Sequence, residues 1–209
     1  VLPLAGDPPG RSAAMGVRRK LLTQVGCGRL HPVQAPRPGP PVPSNPAPPL
    51  THVAAKTTRE WIFAWLKNPQ AYATTATMPN FQRSDADARD ISAFLISQST
   101  SASATEATAP PATETDAQAG ASLYGESFCT SCHATQNAAG LLVGGDVGPE
   151  LTKVGTKVKP EWLLAWLRGP KDYDAHTLMP RYRFDQKQLS LLAGFLPAKP
   201  GSDFLAIVP

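Results

Sequence analysis

The sequence predicts an all-α protein: two tandem copies of one domain joined by a flexible Ser/Thr/Ala/Pro linker. Three observations predict it. First, the chain repeats itself at a constant offset of 101 residues, pairing Trp61 with Trp162, Trp65 with Trp166, Pro69 with Pro170, Tyr72 with Tyr173, Met78-Pro79 with Met179-Pro180 and Phe94-Leu95 with Phe195-Leu196. Second, residues 97–118 between the copies are Ser, Thr, Ala and Pro with two Gln and a few acids. Such a segment cannot bury enough apolar surface to offset its ordering entropy. Third, no stretch alternates apolar and polar residues with the period of two that marks a strand. The expected layout is a first domain over 12–96, a linker over 97–118, a second domain over 119–197 and a tail over 198–209.

Each copy predicts the same order of elements. A first helix covers about 12–26 and 117–128. In copy one a stiff, non-helical loop follows over 32–49, crowded with proline from Pro36 to Pro49. A second helix covers about 58–67 and 160–168. Thr57-Thr58-Arg59-Glu60 resembles a capping box, and Pro160 stands where a first-turn proline is favoured. Pro69 and Pro170 stop these helices. A last helix starts at the N-caps Ser84 and Asp185 and ends near Ile96 and Leu196. The apolar run Phe204–Val208 lies outside both copies, as a tether onto a partner or a strap against its own domain.

Composition narrows the function. Of 209 residues, 42% are hydrophobic, and no apolar run approaches the ~18–20 residues of a membrane span. The net charge of +4 and pI near 9.1 are too mild and too scattered for a nucleic-acid reader. They suit docking to an acidic protein surface. The chain begins at Val1 without Met and shows no signal peptide, so it is read as processed, an anchor ahead of it being left open. The three cysteines, Cys27, Cys129 and Cys132, all fall in two related motifs, which leaves no pair for a structural disulfide.

The complete motif is Cys129-Thr130-Ser131-Cys132-His133, the C-x-x-C-H pattern of covalent c-type haem attachment. Two thiols bond the haem vinyl groups and the adjacent histidine supplies the proximal ligand. An electron carrier needs a second strong ligand, and a thioether raises the potential by favouring the reduced state. Met179, 46 residues after His133, is the candidate. Copy one carries a flawed echo, Cys27-Gly28-Arg29-Leu30-His31, with Met78 following His31 by 47 residues. Leu30 removes one thiol but neither expected iron ligand. His52 and His176 lack counterparts in the other copy and read as surface residues. The Trp pairs 61/65 and 162/166 sit at i, i+4 and read as core positions.

Each copy resembles a class I cytochrome c domain. In copy two the resemblance rests on Cys129–His133, Val147-Gly148-Pro149-Glu150-Leu151, Val154-Gly155, Trp162–Leu167, Met179-Pro180 and Phe195-Leu196, spanning about 117–197. The Trp-rich middle helix is similar to cytochrome c domains attached to quinol:cytochrome c oxidoreductases, alternative quinol oxidoreductases and haem-copper oxidases. The resemblance implies that the Pro149 carbonyl accepts a hydrogen bond from the His133 ring and fixes its orientation. It also implies a periplasmic or otherwise extracytoplasmic site, where c-type maturation takes place. Copy one departs at Leu30, at Pro48-Pro49 before Leu50 in place of the Gly-Pro before Leu151, and at Val53-Ala54, although Pro48 still offers a carbonyl.

These readings make the chain an electron-transfer cytochrome and not an enzyme. Two haem c groups are expected, the N-terminal one held by a single thioether through Cys27; one is expected if the N-terminal copy is empty. Partners are redox proteins or subunits of a membrane electron-transfer complex, with no nucleic acid and no transmembrane segment in this chain. Two alternatives stand beside this. In one, the chain is a monohaem subunit whose N-terminal copy is a docking module. In the other, it is a dihaem peroxidase-like or sulfur-oxidising enzyme.

Overall fold

The computed structural model describes residues 20, 21, 24, 27, 31, 47–98, 114–137, 139–196 and 205. The chain divides into two compact units, Val1–Ala102 with Leu205–Pro209, and Ser103–Phe204. Most of the first expected helix, Leu30, the Pro-rich loop up to Pro46, residues 99–113 of the linker and nearly all of the tail lie outside the described residues.

In the first unit, Lys20, Leu21, Gln24 and Cys27 are helical. Helices α1 (Val53–Lys56), α2 (Arg59–Lys67), α3 (Pro69–Tyr72) and α4 (Asp85–Gln98) follow. The start of α2 differs from the capping-box reading. Thr58 is the N-cap, its side chain accepting from Trp61 N at 3.2 Å. Thr57 instead closes α1, giving its backbone N–H to Val53 O at 3.0 Å. Glu60 is therefore one position short of N3 and cannot complete a box. Pro69 and Pro170 do more than stop the preceding helices, since each opens a short helix at its first turn. The core of this unit is one face of α2 and one of α4: Phe63, Ala64, Leu66, Ile91, Phe94 and Leu95 are buried. Full burial of a side chain such as Phe63 or Ile91 stabilises by about 1.5–3 kcal/mol.

The second unit has α5 (Glu114–Glu126), a 3₁₀ turn (Cys129–Ser131), β1 (Thr135–Gln136), β2 (Leu142–Val143), α6 (Val154–Lys157), α7 (Pro160–Arg168), α8 (Pro170–Tyr173) and α9 (Gln186–Phe195). Helix α5 begins before the expected domain start at 119 and takes in the last residues of the 97–118 segment; α4 takes in its first two. The low-complexity composition hid a run of helix formers. The small antiparallel pair of β1 and β2, with Thr135 opposite Val143 and Gln136 opposite Leu142, is the departure from an all-helical reading. Strands of two residues carry no period, so no pattern announces them.

Helix α5 crosses α9 at Gly120, where a β-carbon would stand 2.6 Å from Phe195 Cβ and against Leu191 O. One turn on, Tyr124 packs on Phe195 with centroids 5.6 Å apart. Asp185 caps α9 in a full capping box with Gln188: Gln188 N donates to Asp185 Oδ1 at 2.8 Å and Asp185 N donates to Gln188 Oε1 at 3.0 Å. Helix α7 buries Trp162, Leu163, Leu164 and Leu167 against this scaffold. No helix among the described residues is long and apolar enough to cross a membrane.

Candidate haem-binding sites

Helix α5 ends by chemistry that presents the motif. Phe128 adopts a left-handed conformation (φ +56°), uncommon for a non-glycine residue, and turns the chain into the 3₁₀ turn at Cys129–Ser131. Its side chain stands 74% exposed beside the first thiol. His133 N donates to Cys129 O at 2.9 Å, which closes one turn and sets the thiol and the imidazole a fixed step apart. Burial pushes the Cys129 thiol up, its own backbone hydrogen bond opposes this and the neighbouring Cys132 adds to it, so Cys129 stands as a thiol and not a thiolate.

The segment after β2 then straps the motif in place. Gly145 N donates to Thr130 O at 2.8 Å, Gly148 N to Cys132 O at 2.7 Å, and Leu151 N to Ala134 O at 2.9 Å. This approach needs small residues. A β-carbon on Gly144 (φ +124°) would strike His133 O, and one on Gly145 would strike Ser131 O. A β-carbon on Gly148 would lie 2.6 Å from His133 Nδ1, so the imidazole rests on bare backbone. Tyr124 completes the frame by donating its hydroxyl to His133 O at 3.3 Å, and burial, helped by the Cys129 thiol, pushes its pKa up to about 12.

His133 Nδ1 lies 2.7 Å from Pro149 O. A carbonyl oxygen can only accept, so Nδ1 carries the proton and Nε2 keeps its lone pair for a metal. Copy one builds the same device: His31 Nδ1 donates to Pro48 O at 2.8 Å, and His31 N donates to Cys27 O at 2.8 Å. The flawed motif thus keeps the bond between its first and last residues. This bond also shifts the correspondence drawn from sequence. Pro48 plays the part of Pro149, so Ala47, and not a proline, stands where Gly148 does, and Pro49 stands where Glu150 does. Cys27 is 7% exposed; burial pushes its thiol up, against a smaller opposing pull from its own backbone hydrogen bond and from Arg83.

The two methionines sit in matching surroundings that the sequence reading missed. Trp166 Nε1 donates to Met179 Sδ at 2.9 Å, and Trp65 Nε1 donates to Met78 Sδ at 2.9 Å. Each tryptophan is held by an aromatic cluster. Trp162 stacks on Trp166 at 5.1 Å with Tyr173 edge-on, and Trp61 stacks on Trp65 at 5.1 Å with Tyr72 edge-on. Such pairs contribute about 0.5–1.5 kcal/mol beyond the area they bury. The signal was in the sequence: in both copies a Trp stands 13 residues before the Met. The Met loops are pinned differently. In copy one Gln70 Nε2 donates to Met78 O at 2.9 Å, while in copy two Met179 N donates to Thr177 Oγ1 at 3.2 Å. Both methionines are half-buried; His176 is exposed, as read, and His52 half-buried.

Among the described residues there is no cluster of three or more His, Cys, Asp or Glu side chains. The donor set present is of another kind: thiols, one imidazole with a free Nε2, and one thioether, which is the set that holds haem c. Large apolar side chains stand open next to these donors, with Val147 64% and Leu178 85% exposed beside Gly148-Pro149 and Met179. That is the surface a flat apolar cofactor covers. The residues of the second unit therefore fit the group. Residues 115–196 match the family described as cytochrome C oxidase, cbb3-type, subunit III. No curated protein and no solved structure matches the chain. Residues 115–196 are therefore similar to a c-type cytochrome domain, and such a domain implies haem c and electron transfer.

Proposed function

We propose that the chain is a dihaem electron-transfer cytochrome, with one haem c in each unit, the N-terminal one attached through Cys27 alone. The observation that carries this reading is the duplication of the ligand-setting bonds. His31 and His133 each give Nδ1–H to a proline carbonyl, at 2.8 and 2.7 Å, and Met78 and Met179 each accept from an indole at 2.9 Å. A copy without cofactor has no use for a histidine locked with Nε2 free and a thioether held in the same place.

When bound, haem supplies an iron centre that takes up and releases one electron. The chain's own residues do the rest. Pro48 and Pro149 hold the imidazoles, and Met78 and Met179 would supply the second ligands. Cys129, Cys132 and Cys27 would tether the cofactor. With a histidine and a methionine both given to the iron of each unit, no place would be left for a substrate, which favours a carrier over an enzyme. The matched family is an oxidase subunit, and on that footing the chain passes electrons to or within a membrane-bound complex on the periplasmic side, as a redox subunit or partner. A monohaem reading with a docking N-terminal unit draws support from Leu30 and from the family match falling on the second unit.

Intact mass with an iron-to-protein ratio tests the reading. Two haems and two irons per chain are expected, together with inertness to carbon monoxide. One haem sinks the dihaem claim, and carbon monoxide binding to the resting protein sinks the carrier claim. The indole contacts give a second test. An N–H directed at the sulfur draws electron density from it and favours the reduced state. Trp166→Phe and Trp65→Phe are each expected to lower the potential of their own centre by on the order of 20–50 mV, the equivalent of losing most of one ordinary hydrogen bond in a one-electron couple. Spectroelectrochemical titration reads it; two unchanged midpoints would remove the indoles from the account.

A further inference from the structure

We propose that the cleft lined by Arg168, Arg181, Tyr182, Arg183 and Phe184 is the docking surface for the carboxylate-rich face of a protein redox partner, so that external exchange runs through the second unit. This rests on the electron-transfer reading above. The cleft has a volume of about 620 Å³, and among the described residues three guanidinium groups and no carboxylate line it. Its floor is flat, for Tyr182 and Phe184 stack at 5.0 Å with planes 9° apart. Asp185, the nearest acid in sequence, is turned away to cap α9. Arginine suits such a partner because its planar fork grips a carboxylate with two bonds and carries a weakly held hydration shell.

The repeat shows that this charge is larger in this copy than in the other, where the one cation gained is Arg83 in place of Phe184. The equivalents of Arg181 and Arg183 in copy one are Asn80 and Gln82. Lys67, the equivalent of Arg168, is neutralised by Asp85 at 2.9 Å and also donates to Arg83 O at 2.7 Å. In copy two the position of Asp85 is held by Gln186, whose Oε1 accepts from Arg168 Nη2 at 3.1 Å and leaves the positive charge standing. The cleft also lies close to the cofactor tethers. Tyr182 sits near enough to Cys129 and Cys132 that both thiols, after burial, push its phenol up. Arg181 is two residues from Met179. A partner seated there is at the edge of the attachment site, which is where a short transfer distance requires it.

The test borrows the residues of copy one, which this fold already accepts. The full-length haem-loaded chain is reduced and mixed in a stopped-flow instrument with oxidised acidic plastocyanin across a range of ionic strength. The cationic oxidant tris(phenanthroline)cobalt(III) serves as control. Arg181→Asn with Arg183→Gln is expected to lower the second-order rate with plastocyanin at low salt by about 5- to 10-fold and to flatten its salt dependence. Gln186→Asp is expected to do the same in smaller measure. The cobalt oxidant should react with every variant no more slowly than with the wild type. Unchanged plastocyanin rates and salt slopes overturn the docking surface while leaving the carrier reading intact. Failure of the wild type to reduce either oxidant overturns the carrier reading instead. Binding to anionic phospholipid vesicles that the double variant abolishes, with plastocyanin rates unchanged, assigns the cleft to a membrane surface and overturns the proposal.

Discussion

Met179→Ala in the haem-loaded chain is expected to lower the midpoint potential of the second centre by on the order of 0.1–0.3 V, a fraction of the ~0.8 V that axial ligands command. The sign follows from the ligand: a thioether favours the reduced state, and losing it stabilises the oxidised one. The same change removes the thioether that the bound haem would take as its second ligand, so carbon monoxide binding is expected to appear at one centre and not at the other. Met179→His keeps the position filled but also lowers the potential, which separates loss of the thioether from opening of the site. A cost in stability accompanies the alanine variant. The bond from Trp166 Nε1 to Met179 Sδ, 2.9 Å, is lost, at about 0.5–1.5 kcal/mol in addition to the lost packing. An unchanged potential in Met179→Ala would hand the ligand role to another side chain, and His176→Ala would then be the next variant to titrate.

The parts of the fold that could be read in the sequence are those punctuated by residues with one structural meaning. Pro160 opens α7, Asp185 caps α9, and the spacing of Trp and Leu places the buried faces of α2 and α7. What escaped is what depends on position in space. The cap of α2 sits on Thr58 because α1, too short to be seen in a period, claims Thr57. The β1–β2 pair exists because the segment after the motif must fold back over it, a demand of the glycine straps at 144–148 and not of strand propensity. The site divides the same way. The motif and the methionines stand out as residue types. The indole-to-thioether bonds do not, since an i, i+4 pair of tryptophans reads first as core, and only the folded loop shows that the second of each pair points its N–H at sulfur. The carbonyl of Pro48 is legible in the sequence, and the bond from His31 agrees with it; the counterpart of Gly148 is then Ala47 and not Pro48, as the offset of 101 also has it.

Removing Cys27 is expected to have the largest effect on the first unit, because it is the sole thiol of its motif. In the wild type, two haems should survive acid extraction and denaturing electrophoresis, since a thioether is not broken by unfolding. Cys27→Ala should reduce that number to one, while a second, now extractable haem remains in the native protein, held by His31 and Met78. The thiol itself adds little to stability: it is 7% exposed, and exchanging it for alanine loses one buried sulfur, at about 1 kcal/mol. A large loss of folded protein would therefore report loss of cofactor and not of packing. The converse variant, Leu30→Cys, restores a second tether. It leaves the count at two, and the alkaline pyridine haemochrome band moves to shorter wavelength as a second vinyl group is saturated. If the wild type carries one covalent haem and Cys27→Ala leaves that count unchanged, the first unit holds no tethered haem. If native iron is also one per chain, the paired bonds of His31 and Met78 are relics of a shared ancestor and not ligands held in readiness.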